Sequence, residues 1–383
     1  MRKWKVVVFT LVPVWLLTRL LLDKHILRLF TSVTNKPWTN TFKSQGVAIG
    51  QTDSENRRIS LACHHNSSSP PLDDETQKRY EIHDLFRVKT PAFLSNYKNP
   101  CWKQGNPSKL VCLPYFYQIG FPKCGTTLTF STIVGHPEAV MGEGKEPHWI
   151  TRTRFAESSQ FQSYLNYFTP AARVIESKAS IDPVTGQMFH PIITGDGSVS
   201  TAWHNQHWRH LPGNYNCTEP RVLAPHYIYH LNPSTKIIIL VRNPTERTIS
   251  QYNYMLSNDL TAESFHATVL QVGLYHVFIR EWMNVFPADQ ILIARVEDIH
   301  EDPYIAFTRI FDFLGLSRVS RSELKEMLNQ SRMNDRSKKF QATNETRRLL
   351  DDFYRPHNIQ LARLLQQHDP NSYSNIHDAM YNH

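Results

Sequence analysis

The chain has 383 residues and a formal net charge of +8, which arises from 42 lysines and arginines against 34 acidic residues. This length is sufficient for one large core with appendages. The basic balance suits an anionic partner such as a nucleotide, a polyanionic sugar, a nucleic acid or a lipid surface. The sequence has no recognition helix, RNA-binding signature, Cys/His zinc spacing or internal repeat, which argues against the common nucleic-acid-binding modules.

The N-terminus has the pattern of a signal anchor. Residues 1–5 form a basic tail, and residues 6–22 are apolar apart from Thr10, Thr18 and Arg19. The stretch is short for a membrane span of about 20 residues, but Arg19 near its end can extend to the interface. Basic residues before a span favour a cytosolic N-terminus, so we expect a type II membrane protein. The alternative is a cleaved signal peptide, although no clean cleavage site follows.

Residues 23–96 are polar and irregular, and they predict a luminal stem that precedes a catalytic domain over residues 97–383. Four N-x-Ser/Thr sequons support a location in the lumen of the secretory pathway. They begin at Asn66, Asn216, Asn329 and Asn344.

A predicted strand, turn and helix form a candidate anion site. Residues 115–119 are aromatic and β-rich, and residues 120–127, GFPKCGTT, lead into a helix that is predicted to reach about Val134. Unpaired N–H groups and the dipole at such a helix start attract phosphate-like anions. Gly125 permits close backbone approach and Lys123 adds positive charge. A Walker A loop is excluded because its glycine-lysine order and spacer are absent; an ordinary Gly-Pro turn is the plain alternative.

Five cysteines have two different contexts. Cys101 and Cys112 flank a short loop, and we expect them to form a disulfide in an oxidising lumen. Cys63 and Cys217 then remain as a second possible pair, and buried thiols are the alternative. Cys124 lies in the anion loop, where a helix N-terminus can lower a thiol pKa, so a nucleophilic role stays open.

Three titratable side chains occur together at Lys145, Glu146 and His148, beside Trp149. A carboxylate next to an imidazole can supply a general base, whereas a solvated charged turn is the simpler interpretation of this stretch alone. Residues 193–200 predict a strand end that runs into a loop, where Asp196 and Ser198 either line a cleft or form the turn.

A second candidate anion site follows the apolar run at residues 236–241, which is typical of a buried parallel strand. Arg242 comes directly after this strand, and Pro244 stands where a helix is expected to begin. Ser250 lies about two turns into that helix, with Arg247 on the same face. Ligands of open α/β sheets bind outside the carboxyl ends of the strands, although a structural ion pair would also explain Arg242.

The C-terminal part predicts further α/β units. Helices are expected over residues 266–286 and 303–314, a strand over 290–295, and a final helix or helix pair over 345–368 that is interrupted at Pro356. The histidine-rich stretch with His204, His207 and His210 has two interpretations. One is a metal site, although the histidine spacing is loose, and the other is stacking of aromatic rings on sugar faces.

The ordered pair GFPKCGTT and VRNPTERTISQY resembles the two PAPS-binding signatures of sulfotransferases, where PAPS is 3′-phosphoadenosine 5′-phosphosulfate. With the anchor and the sequons, the chain is similar to Golgi carbohydrate sulfotransferases from about Tyr97 onward. The stretches NPCW, KEPHW and ETRRLLDDFYRPHN are also similar to members of that family. The resemblance implies an α/β fold, with a parallel sheet flanked by helices as in P-loop kinases.

The resemblance also implies roles for individual residues. The loop residues Lys123, Cys124, Gly125, Thr126 and Thr127 would hold the 5′-phosphosulfate, with Lys123 also stabilising the leaving oxygen. Arg242 and Ser250 would hold the 3′-phosphate. Glu146 would be the catalytic base, with His148 and Lys145 beside it, and the scheme requires no metal. The segment Asp196-Gly197-Ser198-Val199 departs from the Glu-x-Ser-Pro pattern of relatives. The resemblance also implies that the loop with Lys338 and Lys339 closes over the nucleotide.

The function implied is transfer of sulfate to a glycosaminoglycan hydroxyl, with C6 of N-acetylgalactosamine 4-sulfate in chondroitin or dermatan sulfate as the expected acceptor. Arg152, Arg154, Arg209 and the histidine-rich stretch are candidates to bind this acidic chain. Three alternatives remain: another glycan or glycolipid acceptor such as heparan sulfate, a glycan-binding relative without turnover, and a P-loop kinase. The expected location is the Golgi membrane, with the catalytic domain in the lumen.

Overall fold

The computed structural model describes residues 74–156, 160–182, 184–215, 217, 220–258, 267–331 and 341–368. The predicted anchor, most of the predicted stem, Cys63, the sequons at Asn66 and Asn216, and Lys338 and Lys339 lie outside these ranges. Within them, no helix combines the length and the apolar character needed to cross a membrane. The sequon asparagines Asn329 and Asn344 are exposed.

A five-stranded parallel sheet forms the centre of the protein, with strand order β4-β7-β3-β8-β9. The strands of this sheet are β3 Phe116–Gly120, β4 Ala139–Val140, β7 Ile193–Asp196, β8 Lys236–Val241 and β9 Ile291–Arg295. Side chains on both faces of β3 and β8 are buried, as the apolar run at 236–241 predicted for a strand covered by helices. The predicted α/β fold with a parallel sheet is confirmed.

Twelve helices accompany the sheet in the described ranges. They are α1 Asp74–Ile82, α2 Thr126–Val134, α3 Phe161–Tyr167, α4 Thr169–Ser177, α5 Ala224–Leu231, α6 Pro244–Leu256, α7 Ala267–Gln271, α8 Tyr275–Met283, α9 Val296–Glu301, α10 Pro303–Leu314, α11 Arg321–Ser331 and α12 Asn344–His368. The start of α10 at Pro303 and its end at Gly315 follow the sequence prediction, since Gly315 adopts the left-handed conformation of a C-cap.

Two small hairpins lie outside the main sheet. β1 Cys101–Gln104 pairs antiparallel with β2 Lys109–Cys112, and β5 Ser180–Ile181 pairs with β6 Met188–Phe189. A disulfide joins Cys101 to Cys112 across the first hairpin, so the predicted pairing is confirmed.

The predicted stem contributes to the folded domain. Helix α1 and the segment after it belong to residues 23–96, yet Tyr80 and Leu85 are buried in the main core. The packed part of the chain therefore includes residues that precede Tyr97, and polar composition alone did not reveal the few apolar side chains that anchor them.

Two helix predictions were wrong in detail. The expected helix over 266–286 is divided into α7 and α8, and the break includes Gly273, a poor helix former against which the ring of Tyr354 packs. The expected interruption at Pro356 does not occur. Helix α12 runs through this proline for 25 residues, since Leu350 and Tyr354 before it and Leu361 after it are all buried.

Candidate active site

The loop between β3 and α2 has the geometry of an anion site. Gly125 is the N-cap of α2 with a φ of 71°, and no side chain caps this helix start. The first N–H groups of a helix lack intrahelical partners, so those of Thr126 and Thr127 are available to an anion. A Cβ at Gly125 would lie 2.7 Å from Cγ2 of Val296. Both the backbone conformation and this packing therefore require glycine.

The two predicted anion motifs meet in space. Arg242 follows β8, the strand next to β3, and its Nη1 donates to the carbonyl oxygen of Lys123 over 3.2 Å. Asn243 caps α6 by accepting the N–H groups of Thr245 at 3.0 Å and Glu246 at 3.2 Å. Two positive side chains and the starts of two helices thus lie at one edge of the sheet.

Lys123, Ser250 and Arg247 of the two motifs differ in their burial and contacts. The Lys123 ammonium lies 4.4 Å from the ring centroid of Tyr254, on the last turn of α6. Ser250 is half-buried on the same helix. Arg247 lies three positions before Ser250 on this helix and is buried; its Nη2 donates to the carbonyl of Val269 and to Oγ1 of Thr248. Arg247 therefore supports the packing of α6.

Cys124 lacks the properties of a nucleophile. Its side chain is 0% exposed, and its Sγ lies 3.6 Å from the hydroxyl of Tyr275. Burial raises the pKa of Cys124 to about 11, so the thiol is protonated at neutral pH. This finding rejects the nucleophilic alternative and leaves Cys124 a packing role beneath the loop.

Lys145, Glu146 and His148 form a compact acid–base cluster after β4. Oε2 of Glu146 lies 3.0 Å from Nε2 of His148, and the Lys145 ammonium contacts the other carboxylate oxygen. Burial alone would raise the pKa of Glu146, but the hydrogen bond from His148 and the charge of Lys145 outweigh it and lower this pKa. Glu146 is therefore ionised and ready to accept a proton. The simple solvated-turn interpretation does not hold.

A chain of buried hydroxyls orients His148. Its backbone N–H donates to Oγ of Ser198 over 2.9 Å, and its Nδ1 lies 2.7 Å from Oγ of Ser200. The Ser200 hydroxyl in turn lies 2.9 Å from that of Thr151. The carboxylate of Glu146 can only accept, so Nε2 of His148 carries the proton between them. The Ser200 hydroxyl can donate or accept, and its contact with Nδ1 holds the ring in the orientation that faces Glu146.

Asp196 braces the turn that carries these serines. It is buried, accepts the Ser198 N–H and the Tyr164 hydroxyl at 2.8 Å each, and burial raises its pKa. Of the two predicted options for Asp196, turn formation is therefore the observed one. Ser200, Thr151 and Tyr164 were missed because each is an isolated polar residue in the sequence, without a motif around it.

The short 3₁₀ helix Val199–Ala202 lies between the anion loop, residues 120–127, and the acid–base cluster. A side chain on Gly120, the last residue of β3, would lie 2.6 Å from Cβ of Ala202. The helix that holds Ser200 thus packs directly against the start of the anion loop. Strands β3, β4, β7 and β8 all end at this edge, which is where ligands bind in open α/β sheets.

The histidine-rich stretch packs against other rings. Nδ1 of His207 lies 2.9 Å from the hydroxyl of Tyr80, and the ring of His210 stands edge-on to Tyr80 at 5.0 Å. The described ranges contain no cluster of three or more His, Cys, Asp or Glu side chains placed to hold a metal ion.

A family model described as the sulfotransferase domain matches residues 117–357, which include both anion loops and the acid–base cluster. The chain therefore belongs to the sulfotransferase family. This assignment excludes the P-loop kinase alternative and confirms the class that the two motifs predicted.

Among curated proteins, carbohydrate sulfotransferase 15 of Homo sapiens is 29% identical over 384 aligned positions, covering 77% of this chain and 68% of the relative. Heparan sulfate glucosamine 3-O-sulfotransferase 6 of Mus musculus is 34% identical over 110 positions, covering 25% of this chain and 32% of the relative. A solved sulfotransferase from Alicyclobacillus acidocaldarius aligns with a TM-score of 0.47 and 20% identity, covering 67% of this chain and 97% of that one. The resemblance to carbohydrate sulfotransferases is confirmed.

Proposed function

We propose that this protein transfers sulfate from PAPS to a hydroxyl of a glycosaminoglycan, specifically C6 of N-acetylgalactosamine 4-sulfate in chondroitin or dermatan sulfate. The observation that carries the reaction class is the shared sheet edge, where an uncapped helix start with Lys123 and Arg242 lies beside an ionised Glu146. The similarity to carbohydrate sulfotransferase 15 supports the acceptor.

The described residues fit PAPS as the sulfate donor. The N–H groups at the start of α2 and the lysine before it suit the 5′-phosphosulfate, while Arg242 with Ser250 on α6 suits the 3′-phosphate. Bound PAPS supplies an activated sulfuryl group. Lys123 then offsets the negative charge that grows on the phosphate oxygen as the S–O bond breaks.

Glu146 acts on the acceptor. Its carboxylate takes the proton of the attacking hydroxyl as the new oxygen–sulfur bond forms, which prevents a positive charge from building on that oxygen. His148 donates from Nε2 to the same carboxylate and holds it in place, and Lys145 keeps it ionised. As in phosphoryl transfer, the protein contributes position and charge rather than a covalent intermediate.

The decisive experiment incubates the purified full-length protein with sulfur-labelled PAPS and four acceptors: chondroitin 4-sulfate, dermatan sulfate, unsulfated chondroitin and heparan sulfate. We expect label at C6 of the hexosamine of chondroitin 4-sulfate, and loss of that label with Lys123→Ala and Glu146→Ala. Label on another acceptor would refute the proposed substrate and keep the mechanism. PAPS binding without transfer to any acceptor would favour a glycan-binding protein that lacks turnover.

Heparan sulfate is the second candidate acceptor. The local similarity to heparan sulfate glucosamine 3-O-sulfotransferase 6 favours it, although that similarity covers only a quarter of the chain. Transfer to heparan sulfate in the same panel, with none to the chondroitin acceptors, would establish this alternative.

The proposed setting is the Golgi lumen, with residues 1–5 in the cytosol, 6–22 in the membrane, a stem beginning at residue 23, and the catalytic domain at its end. The basic tail and the four sequons support this location and topology. The asparagines of two sequons, Asn329 and Asn344, are exposed. We expect removal of N-linked glycans by an amidase to reduce the apparent mass of the cellular protein. Unchanged mass together with a cytosolic protease-accessible domain would refute the topology.

A further inference from the structure

A recess next to the acid–base cluster contains a buried guanidinium that the reaction does not use. Its lining includes Thr151, Arg154, His204, His207 and Trp208. Thr151 links the recess to the site of transfer, because its hydroxyl contacts Ser200, which contacts His148. The recess therefore lies two hydrogen bonds from the residue that holds the catalytic carboxylate.

Arg154 is only 2% exposed, yet its Nε and Nη1 have no hydrogen-bond partner within the described part of the chain. Its guanidinium lies 4.4 Å from the ring centroid of Tyr227 and 4.6 Å from that of Phe155. Tyr227 and Asp84 stabilise this charge, but Oδ1 of Asp84 also caps the neighbouring turn by accepting the Phe86 N–H over 3.1 Å. Buried N–H donors are costly without acceptors, so the open Nε and Nη1 groups indicate a missing acceptor.

The charge of the recess suits a single anion. Burial lowers the pKa of Arg154 to about 10, which still leaves the guanidinium charged at neutral pH. Burial also lowers the pKa of His204 to about 4. The pKa of His207 is lowered by burial and by the neighbouring His210 and Arg154. These two imidazoles are thus neutral hydrogen-bonding groups, and Arg154 is the buried charge among them.

The surrounding surface favours an acidic saccharide as the source of this anion. The exposed Arg152 lies over the Trp203 ring at 5.6 Å and interacts electrostatically with Glu146. Arg209 lies over the Trp208 ring at 4.6 Å. Aromatic faces bind sugar rings and exposed arginines attract acidic chains, so an acceptor that reaches Glu146 also passes the recess.

We propose that the Arg154 recess is a subsite that binds one anionic group, a carboxylate or a sulfate, of the acceptor glycan. This inference rests on the proposed function and adds a specificity element to it. An acceptor with an anion at the correct distance from the reacting hydroxyl supplies charge-assisted hydrogen bonds to the open donors of Arg154. A neutral glycan leaves the guanidinium unpaired, and the site discriminates against it.

The test is direct binding, which does not depend on transfer. The full-length protein is saturated with adenosine 3′,5′-bisphosphate and titrated calorimetrically with hexasaccharides of chondroitin 4-sulfate, unsulfated chondroitin and heparan sulfate. We expect Arg154→Met to weaken binding of the preferred hexasaccharide roughly ten- to hundredfold, the range for a hydrogen bond to a charged group. The acceptor KM rises correspondingly, while kcat stays within about threefold because Glu146 is untouched.

Thermal unfolding separates this role from a structural one. Arg154→Met removes a buried charge with two unpaired N–H donors, so we expect an unchanged or higher Tm. Arg355→Met is the matched control: it removes the same charge from an exposed position on α12, and we expect less than about threefold weaker binding that disappears at high salt.

The outcomes distinguish the subsite from the wider function. Equal weakening for sulfated and unsulfated chondroitin identifies a carboxylate, and weakening confined to the sulfated chain identifies a sulfate; either supports the subsite. A lower Tm with unchanged saccharide binding overturns the proposal and makes Arg154 a structural residue. A wild-type protein that binds a hexasaccharide but transfers no sulfate would contradict the proposed function alone.

Discussion

The donor and acceptor halves of the site lie at one edge of the same sheet but are built in different ways. The proposed donor half is a run of consecutive residues, 120–127, whose N–H groups and helix dipole form the candidate anion site, with Arg242 added after the next strand. The acceptor half brings Glu146, His148 and Ser200 together from two segments about 50 positions apart, through side-chain hydrogen bonds.

This difference in construction determines how each half of the site responds to amino-acid substitution. A backbone cradle depends on conformation, so it tolerates many side-chain substitutions but not a Cβ at Gly125. A side-chain network depends on each partner, and removing one leaves another buried group unsatisfied. We therefore expect single substitutions to affect the acceptor half through kcat and pH dependence, and the donor half through PAPS affinity.

The largest expected effect is that of Glu146→Gln. The change keeps the shape and a hydrogen bond to His148 but removes the base, so we expect kcat to fall roughly 10²- to 10⁴-fold. PAPS affinity, measured by titration, should stay unchanged because Glu146 belongs to the acceptor half. Glu143→Gln, an exposed change in the same segment, is the control. A Glu146→Gln enzyme that retains near-normal kcat would remove the general-base assignment.

The next effect is that of Arg242→Met on the donor half. Loss of a charged donor at the 3′-phosphate should weaken PAPS binding roughly ten- to hundredfold. Acceptor KM should be unchanged. Arg355→Met, which removes an exposed arginine paired with Asp352, controls for net charge. Normal PAPS affinity in Arg242→Met would restrict Arg242 to its contact with the Lys123 carbonyl and a structural role.

A smaller effect is expected for Ser200→Ala. Without this hydroxyl, Nδ1 of His148 loses the hydrogen bond that holds the ring toward Glu146, and kcat should fall by about five- to tenfold, the equivalent of one ordinary hydrogen bond. The pKa of Glu146 is lowered in part by His148, so weakening that bond raises this pKa. Because the ionised carboxylate is the active form, the acidic limb of the pH–rate profile should move to higher pH.

Ser163→Ala, an exposed change on α3, is the control for this experiment. A reduced rate with an unshifted acidic limb would show that Ser200 acts on packing rather than on His148. The wild-type limb itself should lie below the ordinary pKa of glutamic acid.

The same contrast explains what the sequence could predict. Strand β8, the Asn243-Pro244 helix start and the Gly125 loop follow from local rules about apolar runs, caps and glycine conformation, and all three are present. The position of Arg242 at the carboxyl end of a strand also followed, whereas its contact with the Lys123 carbonyl was found only in the structure.

Features that depend on distant packing were not predictable. Helix α12 continues through Pro356 because buried side chains on both sides outweigh the lost hydrogen bond, and the break between α7 and α8 contains Gly273, where Tyr354 from α12 packs. Ser200 and Tyr164 gained their roles only from neighbours that are far away in the chain. Tertiary contacts of this kind leave no local pattern, whereas a backbone anion site does.

The smallest expected effect on rate is that of Cys124→Ala, and it tests the boundary of the donor half. Cys124 lies within the anion loop, but its side chain faces the core beside Tyr275. If the loop binds through its backbone, kcat and PAPS affinity should both remain within about twofold, while removal of one buried sulfur lowers the free energy of unfolding by about 1 kcal/mol. Thiol-directed reagents should also leave the folded enzyme active, because the buried thiol is protonated at neutral pH. Loss of activity in a variant that binds PAPS normally and retains its Tm would show that the sulfur itself participates, and the donor half would then depend on a side chain as the acceptor half does.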